Sequence, residues 1–359
     1  MSGLTMKPSL CFCSWLVAVL SCFAATSEGQ DKTERLKALE KIRELGGHYI
    51  DFSYASTPSS LAVFCPKSFT DADLKILQPL SDLVSLNLMQ TKISDDCLPH
   101  LKGFKHLRAL HLDSTAISDR ALGSLIKFPK LRDLGLAGTK ISNAGLKNLA
   151  KMPDLYWLQL SHTAVDNSGL EVLQNLSLDT LFLNDTKITD DGLKWLARME
   201  SLAQLELSNA EVTDVGLASL GKLDLEWLNL DGTKVTDAGL VHLKDMIYLK
   251  FLSLRCPGIS DAGLVHLKKM RALQHLSLDR TQISDRGMET ISQFKKLIGL
   301  GVSNTQVSDT GIILLGKCRR LKQLHSFENR VTPEGAQALQ KLLPALEIHQ
   351  GKPKFPDLP

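Results

Sequence analysis

The feature that most limits what this chain can fold into is its period. A leucine opens a new segment at Leu83, Leu107, Leu131, Leu155, Leu178, Leu202, Leu225, Leu249, Leu273, Leu297 and Leu321, always 23 or 24 residues after the one before. Leu346 starts a truncated copy, and "FTDADLKIL" at Phe69–Leu77 is the back half of another. The agreement between copies is close: "AGTKISNAGLKNL" (Ala137–Leu149), "NDTKITDDGLKWL" (Asn184–Leu196) and "DGTKVTDAGLVHL" (Asp231–Leu243). One such segment buries too little apolar surface to offset the entropy of ordering it, so a single copy cannot fold alone. Copies stacked along one axis share their faces, and chain length then says nothing about domain count.

Each unit has a legible chemistry. Counting from the opening leucine, L-x-x-L-x-L ends in the apolar/polar alternation of a short strand. Threonine follows at the ninth position in most units (Thr91, Thr115, Thr139, Thr163, Thr186, Thr233, Thr281, Thr305), where its hydroxyl can bond the turning backbone. An inward Ile or Val comes next, then Ser or Thr, then Asp, which is a helix-start signal. Gly or another small residue two places later lets a short helix approach its neighbour. Two leucines three apart give that helix one apolar face.

A sustained period in this range with L-x-x-L-x-L is the leucine-rich-repeat signature. From about residue 61 to 349 the chain resembles a leucine-rich-repeat protein of the T-x-[IV]-[ST]-D-x-G-L subtype, similar to exported bacterial proteins and to the cysteine-containing repeats of F-box proteins. The resemblance implies an α/β, right-handed solenoid, a curved horseshoe with a parallel sheet on its concave face and short helices on its convex face. No F-box precedes the repeats.

The organisation expected is a signal peptide over 1–30, an N-terminal helical cap and linker over 31–60, the solenoid over 61–349, and a loose tail over 350–359. Lys7, the apolar run Leu10–Phe23 and the small residues of "FAATSEGQ" carry the first of these. Export to a periplasm, cell envelope or extracellular space follows, with "VLSC" leaving open a lipid anchor on Cys22. Membrane association is expected only through that anchor. "DKTERLKALEKIRELGG" (Asp31–Gly47) reads as an amphipathic capping helix with a glycine stop. Beyond the leader, Cys65, Cys97, Cys256 and Cys318 lie far apart in the repeat register, with neither metal-type nor paired spacing.

Net charge is +3, from 42 basic and 39 acidic residues, which gives no pull towards nucleic acid or anionic lipid. Strand positions three, five and seven should point away from the core. The third column holds Trp157, Trp227, Phe251 and His275; the fifth holds Phe182 and Glu206; the seventh holds Asp231 and Arg255. The four large aromatics predict one exposed stripe for a protein or peptide, although rings lying flat to shield the sheet would give the same pattern. Asp113, Asp133, Asp185, Glu206, Asp231, Asp279 and Glu328 lend this side one sign of charge, which favours a basic, partly apolar partner and disfavours nucleic acid. The same acids are also ordinary turn formers. Ser253, His275 and Asp231 fall on adjacent strands, but an open sheet offers them no oxyanion donors. No phosphate loop, metal motif or nucleophile elbow occurs, so neither catalysis, cofactor nor metal is expected. A structural envelope-organising repeat without a discrete ligand, or an F-box-like ubiquitin-ligase adaptor if the leader is retained, are the competing readings.

Overall fold

The computed structural model describes residues 32–52 and 60–350. The expected signal peptide, most of the linker and all but the first residue of the expected tail lie outside the described residues. The chain forms two compact units that divide between Phe182 and Leu183.

In the first unit the helix Lys32–Glu44 is buried along Ala38, Leu39 and Ile42. It stops at Gly46, whose φ of +91° is open to a residue without Cβ, and Gly46 and Gly47 amides close on Arg43 and Ile42 carbonyls. Strand β1 (His48–Asp51) pairs antiparallel with β2 (Leu61–Phe64). From there the order is parallel and sequential: β3 (Leu83–Asn87), β4 (Ala109–His111), β5 (Asp133–Gly135), β6 (Trp157–Gln159) and β7 (Thr180–Phe182). Arg35 binds this cap to the array, its guanidinium 2.8 Å from Asp51 and 2.9 Å from Asp82.

The second unit continues the pattern with β8 (Gln204–Glu206), β9 (Trp227–Asn229), β10 (Phe251–Ser253), β11 (His275–Ser277), β12 (Gly299–Gly301), β13 (Gln323–His325) and β14 (Glu347–His349), all parallel and in chain order. From β2 to β13 each strand is followed by a turn and a short helical segment, mostly seven residues such as Asp190–Leu196, sometimes a 3-10 turn such as Gly239–Leu243. The helix Pro333–Leu342 is longer, as befits a terminal repeat. The leucines at the fourth and sixth positions, the Ile or Val of the turn and the paired helix leucines are fully buried, as at Leu228, Leu230, Val235, Leu240 and Leu243.

Two polar devices set the shape of a unit. The repeat threonine donates its hydroxyl to the carbonyl three residues back, as Thr281 does to Leu278 at 2.5 Å, so the turn satisfies itself away from water. The Asp after the helix-start Ser or Thr does more than favour a helix terminus. It reaches the next unit, where Oδ1 accepts the backbone N–H and Oδ2 the hydroxyl of the corresponding Ser or Thr. Asp71, Asp95 and Asp119 hold Ser94, Ser118 and Ser142 in the first unit. Asp214, Asp237, Asp261, Asp285 and Asp309 hold Thr236, Ser260, Ser284, Ser308 and Thr332 in the second. The held hydroxyl also caps its own helix, as Ser284 Oγ accepts from Arg286 N.

The small residue two places beyond this Asp has a reason the sequence left general. A Cβ on Gly263, Gly287 or Gly311 would collide with the side chain of the preceding unit's Asp. At these joints glycine leaves the aspartate room, whereas Cys97 and Ala121 hold the same position where Asp71 and Asp95 make the same bonds. At one joint the chemistry is inverted: Asn143 replaces the Asp and Asp166 the Ser. Asn143 Nδ2 donates to Asp166 Oδ1 at 2.7 Å, and its Oδ1 accepts the Asp166 N–H at 3.1 Å.

Candidate functional site

The strand positions facing away from the helices form an open face, but a less exposed one than the alternation predicts. Single-residue pleats between close neighbours leave small side chains covered: Ser85, Ala109, Thr180, Ser253 and Ser277 are all buried. The acidic character of this face is largely used up internally. Asp113, Asp231 and Asp279 are buried and accept the backbone N–H of Ala137, Arg255 and Ser303, one unit further on. They form a second ladder on the strand side. The predicted free carboxylate Asp231 also receives the Ser253 hydroxyl at 2.6 Å and the Arg255 Nε at 2.7 Å, so Asp231 and Arg255 are a clamp between neighbouring repeats. Ser253 gives its proton to Asp231 directly, with His275 no part of that bond.

The four large aromatics expected in one stripe fall as a pair in each unit. In the first, Trp157 on β6 and Phe182 on β7 are half-buried and meet edge to face, centroids 5.4 Å apart at 65°. His111 on β4 meets Trp157 likewise, at 5.5 Å and 72°. In the second, Trp227 on β9 stacks parallel on Phe251 of β10, centroids 3.5 Å apart at 4°, and His275 on β11 lies 6.3 Å beyond. Phe251 was expected to be exposed; between these two rings it is only 6% exposed and serves as a support for them. Trp227 is held in turn: its indole N–H donates to Glu206 on β8 at 3.2 Å, and Asn184 Nδ2 donates to the other oxygen at 2.6 Å. Burial raises the Glu206 carboxyl above its usual range against those two bonds, and lowers His275.

Beside the first cluster lies a group that the sequence showed only as one of several acids on this face. Asp133 on β5 pairs in register with Trp157 on one side and Ala109 on the other, and is 1% exposed. Neither of its carboxylate oxygens receives a hydrogen bond from another protein group. Burial pushes it up to about 8, with Arg132 and Arg108 pulling the other way. Burial also raises Asp113 to about 6 and lowers His111 to about 4, their polar atoms lying 4.0 Å apart. Strongly shifted groups gathered at one place mark functional sites more often than chance allows. One signal was available: Asp133 is the only charged residue in the third column. Among the described residues no group of three or more potential metal ligands occurs, and no helix is long and apolar enough to cross a membrane.

A family profile described as Leucine Rich repeat matches residues 269–292, one copy of the period. A comparison with curated proteins returned no match. Among solved structures, the chain is similar to an internalin from Listeria monocytogenes, with 19% identity and a TM-score of 0.54 over 91% of this chain and 96% of that one. It is also similar to a leucine-rich-repeat protein from Leptospira interrogans, at 19% identity and a TM-score of 0.48, covering 76% and 80%. With the parallel strand order, the internalin likeness shows that the fold is an α/β leucine-rich-repeat solenoid.

Proposed function

We propose that the chain is a non-enzymatic scaffold that binds a protein or peptide on the open face of its sheet, and that it acts after export from the cytoplasm. The observation that carries this is the presence on that face of Trp157, Phe182 and Trp227, half-exposed at positions the leucine core does not require. Rigid, large aromatic side chains with a polar surround are what binding surfaces concentrate. Trp157 and Phe182 form one contact patch, with Trp227, His275 and Glu206 forming another. Phe251, Asp231 and Arg255 hold the second patch in shape. Because most carboxylates of the face are already bonded, apolar contact carries the affinity.

The test compares purified wild type with Trp157→Ala and Trp227→Ala, each confirmed as folded by circular dichroism, in affinity capture from the native cell envelope. Loss of the same partner by either variant is the expected result. Equal recovery of all partners by all three proteins overturns the reading. N-terminal sequencing of the native protein tests export: a start near residue 31 is expected, and a start at Met1 refutes it.

A further inference from the structure

We propose that Asp133 is the anchor for an arginine side chain of the bound polypeptide, whose guanidinium forks onto both carboxylate oxygens and lies against the ring of Trp157. The proposal rests on the binding role of the open face and names the chemistry of one of its subsites.

A buried carboxyl with no hydrogen-bond partner is costly, and native structures rarely keep one without a use. The other open-face aspartates show how easily this fold satisfies such a group: Asp113, Asp231 and Asp279 each accept a backbone N–H from the following unit. Asp133 stands four residues earlier in its repeat, on the strand itself and in register with Ala109 and Trp157, where neither of its oxygens meets a donor. Two empty oxygens on one carboxyl match the paired N–H groups of a guanidinium, which an ammonium cannot fill together. The neighbouring indole supplies the face on which a guanidinium stacks. Trp157 rests edge-on against His111 and Phe182, and admitting the side chain to the buried carboxyl requires it to turn aside.

Binding then moves a proton. At neutral pH the empty site holds Asp133 as the neutral acid, since burial lifts it to about 8. The guanidinium binds the ionised form, and the displaced proton leaves to solvent. The groups around it leave this step distinct. The His111 and Asp113 values, about 4 and about 6, lie below that of Asp133. Tyr156, ahead of β6, lies near 12, and Gln159, Thr180 and Phe182 do not titrate.

The probe is N-acetyl-arginine amide, titrated into the full-length mature protein by calorimetry and tryptophan fluorescence. N-acetyl-citrulline amide serves as the neutral isostere and N-acetyl-lysine amide as the point charge. Arginine is expected to bind at least tenfold more tightly than citrulline, and more tightly than lysine. About one proton is released per arginine at pH 7, read from buffers of different ionisation enthalpy, and affinity rises about tenfold per pH unit up to the Asp133 value. Asp133→Asn, which preserves shape, abolishes both effects. Equal binding of arginine and citrulline, an affinity independent of pH, or unchanged arginine binding by Asp133→Asn overturns the proposal. If the probes fail while Trp157→Ala or Trp227→Ala still loses the native partner, the arginine anchor falls and the scaffold stands. If the probes behave as expected but both variants keep every partner, the scaffold reading falls alone.

Discussion

The inverted joint at Asn143–Asp166 allows the carboxylate ladder to be tested by transplanting one rung. In the ordinary joint Asp261 Oδ1 accepts the Ser284 N–H at 2.9 Å, and Oδ2 the Ser284 hydroxyl at 2.5 Å. Asp261→Asn keeps the first bond but offers an amide N–H2 to a hydroxyl that already accepts from Arg286. The hydroxyl proton loses its acceptor, at a cost of about 1 kcal/mol. Ser284→Asp sets a second carboxylate against Asp261 in a half-buried gap, and repulsion there costs about 2 kcal/mol. Made together, the two changes rebuild the amide–carboxylate pair already present at Asn143 and Asp166. The introduced carboxylate can also cap the helix, as Asp166 caps Ser168 N at 2.9 Å. The double variant should therefore lie within about 0.5 kcal/mol of wild type where the singles sum to about 3, a coupling of about 2.5 kcal/mol. Urea unfolding gives the stabilities. Amide exchange at residue 284 gives the local value, which matters because a repeat array can open piecewise. If the double variant loses as much as the two singles added, the joint is not a matched pair and the ladder argument is wrong.

Two further outcomes follow from the same geometry. Gly311→Ala places a methyl 3.0 Å from the Asp285 Cα and against its carboxylate, and should cost about 2 kcal/mol. Gly123→Ala, in the helix Asp119–Leu125 with its nearest neighbour 3.9 Å away, should gain about 0.5–1 kcal/mol; similar shifts of the urea midpoint in both would refute the steric reading. Asp133 has a folded-state value raised to about 8, so its stabilising contribution is complete below the unfolded carboxylate value near 4 and is lost as pH rises through 8. Asp133→Asn should therefore gain stability over wild type at pH 8 and gain little at pH 4. His111, lowered to about 4, works in the opposite direction and is common to both proteins. An equal difference at the two pH values, measured by urea unfolding, would contradict this assignment.

The period, the strand alternation, the buried leucines and the turn threonines were all legible in the sequence, because each depends on contacts inside one unit or between identical neighbours. Asp261 and Gly287 were read as a helix-start signal and a small spacer. Their relation to each other runs between units, and only the stacked register reveals it. The open face was harder. Alternation correctly separates Leu252 from Phe251, but it cannot say that Trp227 and His275 bury Phe251 from either side. Nor can it say that Asp231 spends its charge on Arg255 and Ser253. Asp133 was legible only as one acid among several on this face, because a missing partner is recorded by no pattern of residue types.

The ordinary joints within each unit point one way: each repeat extends a carboxylate acceptor forward and presents a hydroxyl and an amide backward. Any two ordinary units therefore fit in either succession, so the array can lengthen or shorten by whole modules without new chemistry at the seam. Asn143 and Asp166 depart from this, an amide set before a carboxylate, and Asn167 likewise replaces the forward Asp in the next repeat. Recombination that puts an ordinary aspartate ahead of Asp166 sets two acids facing across the seam, which disfavours separating it from Asn143.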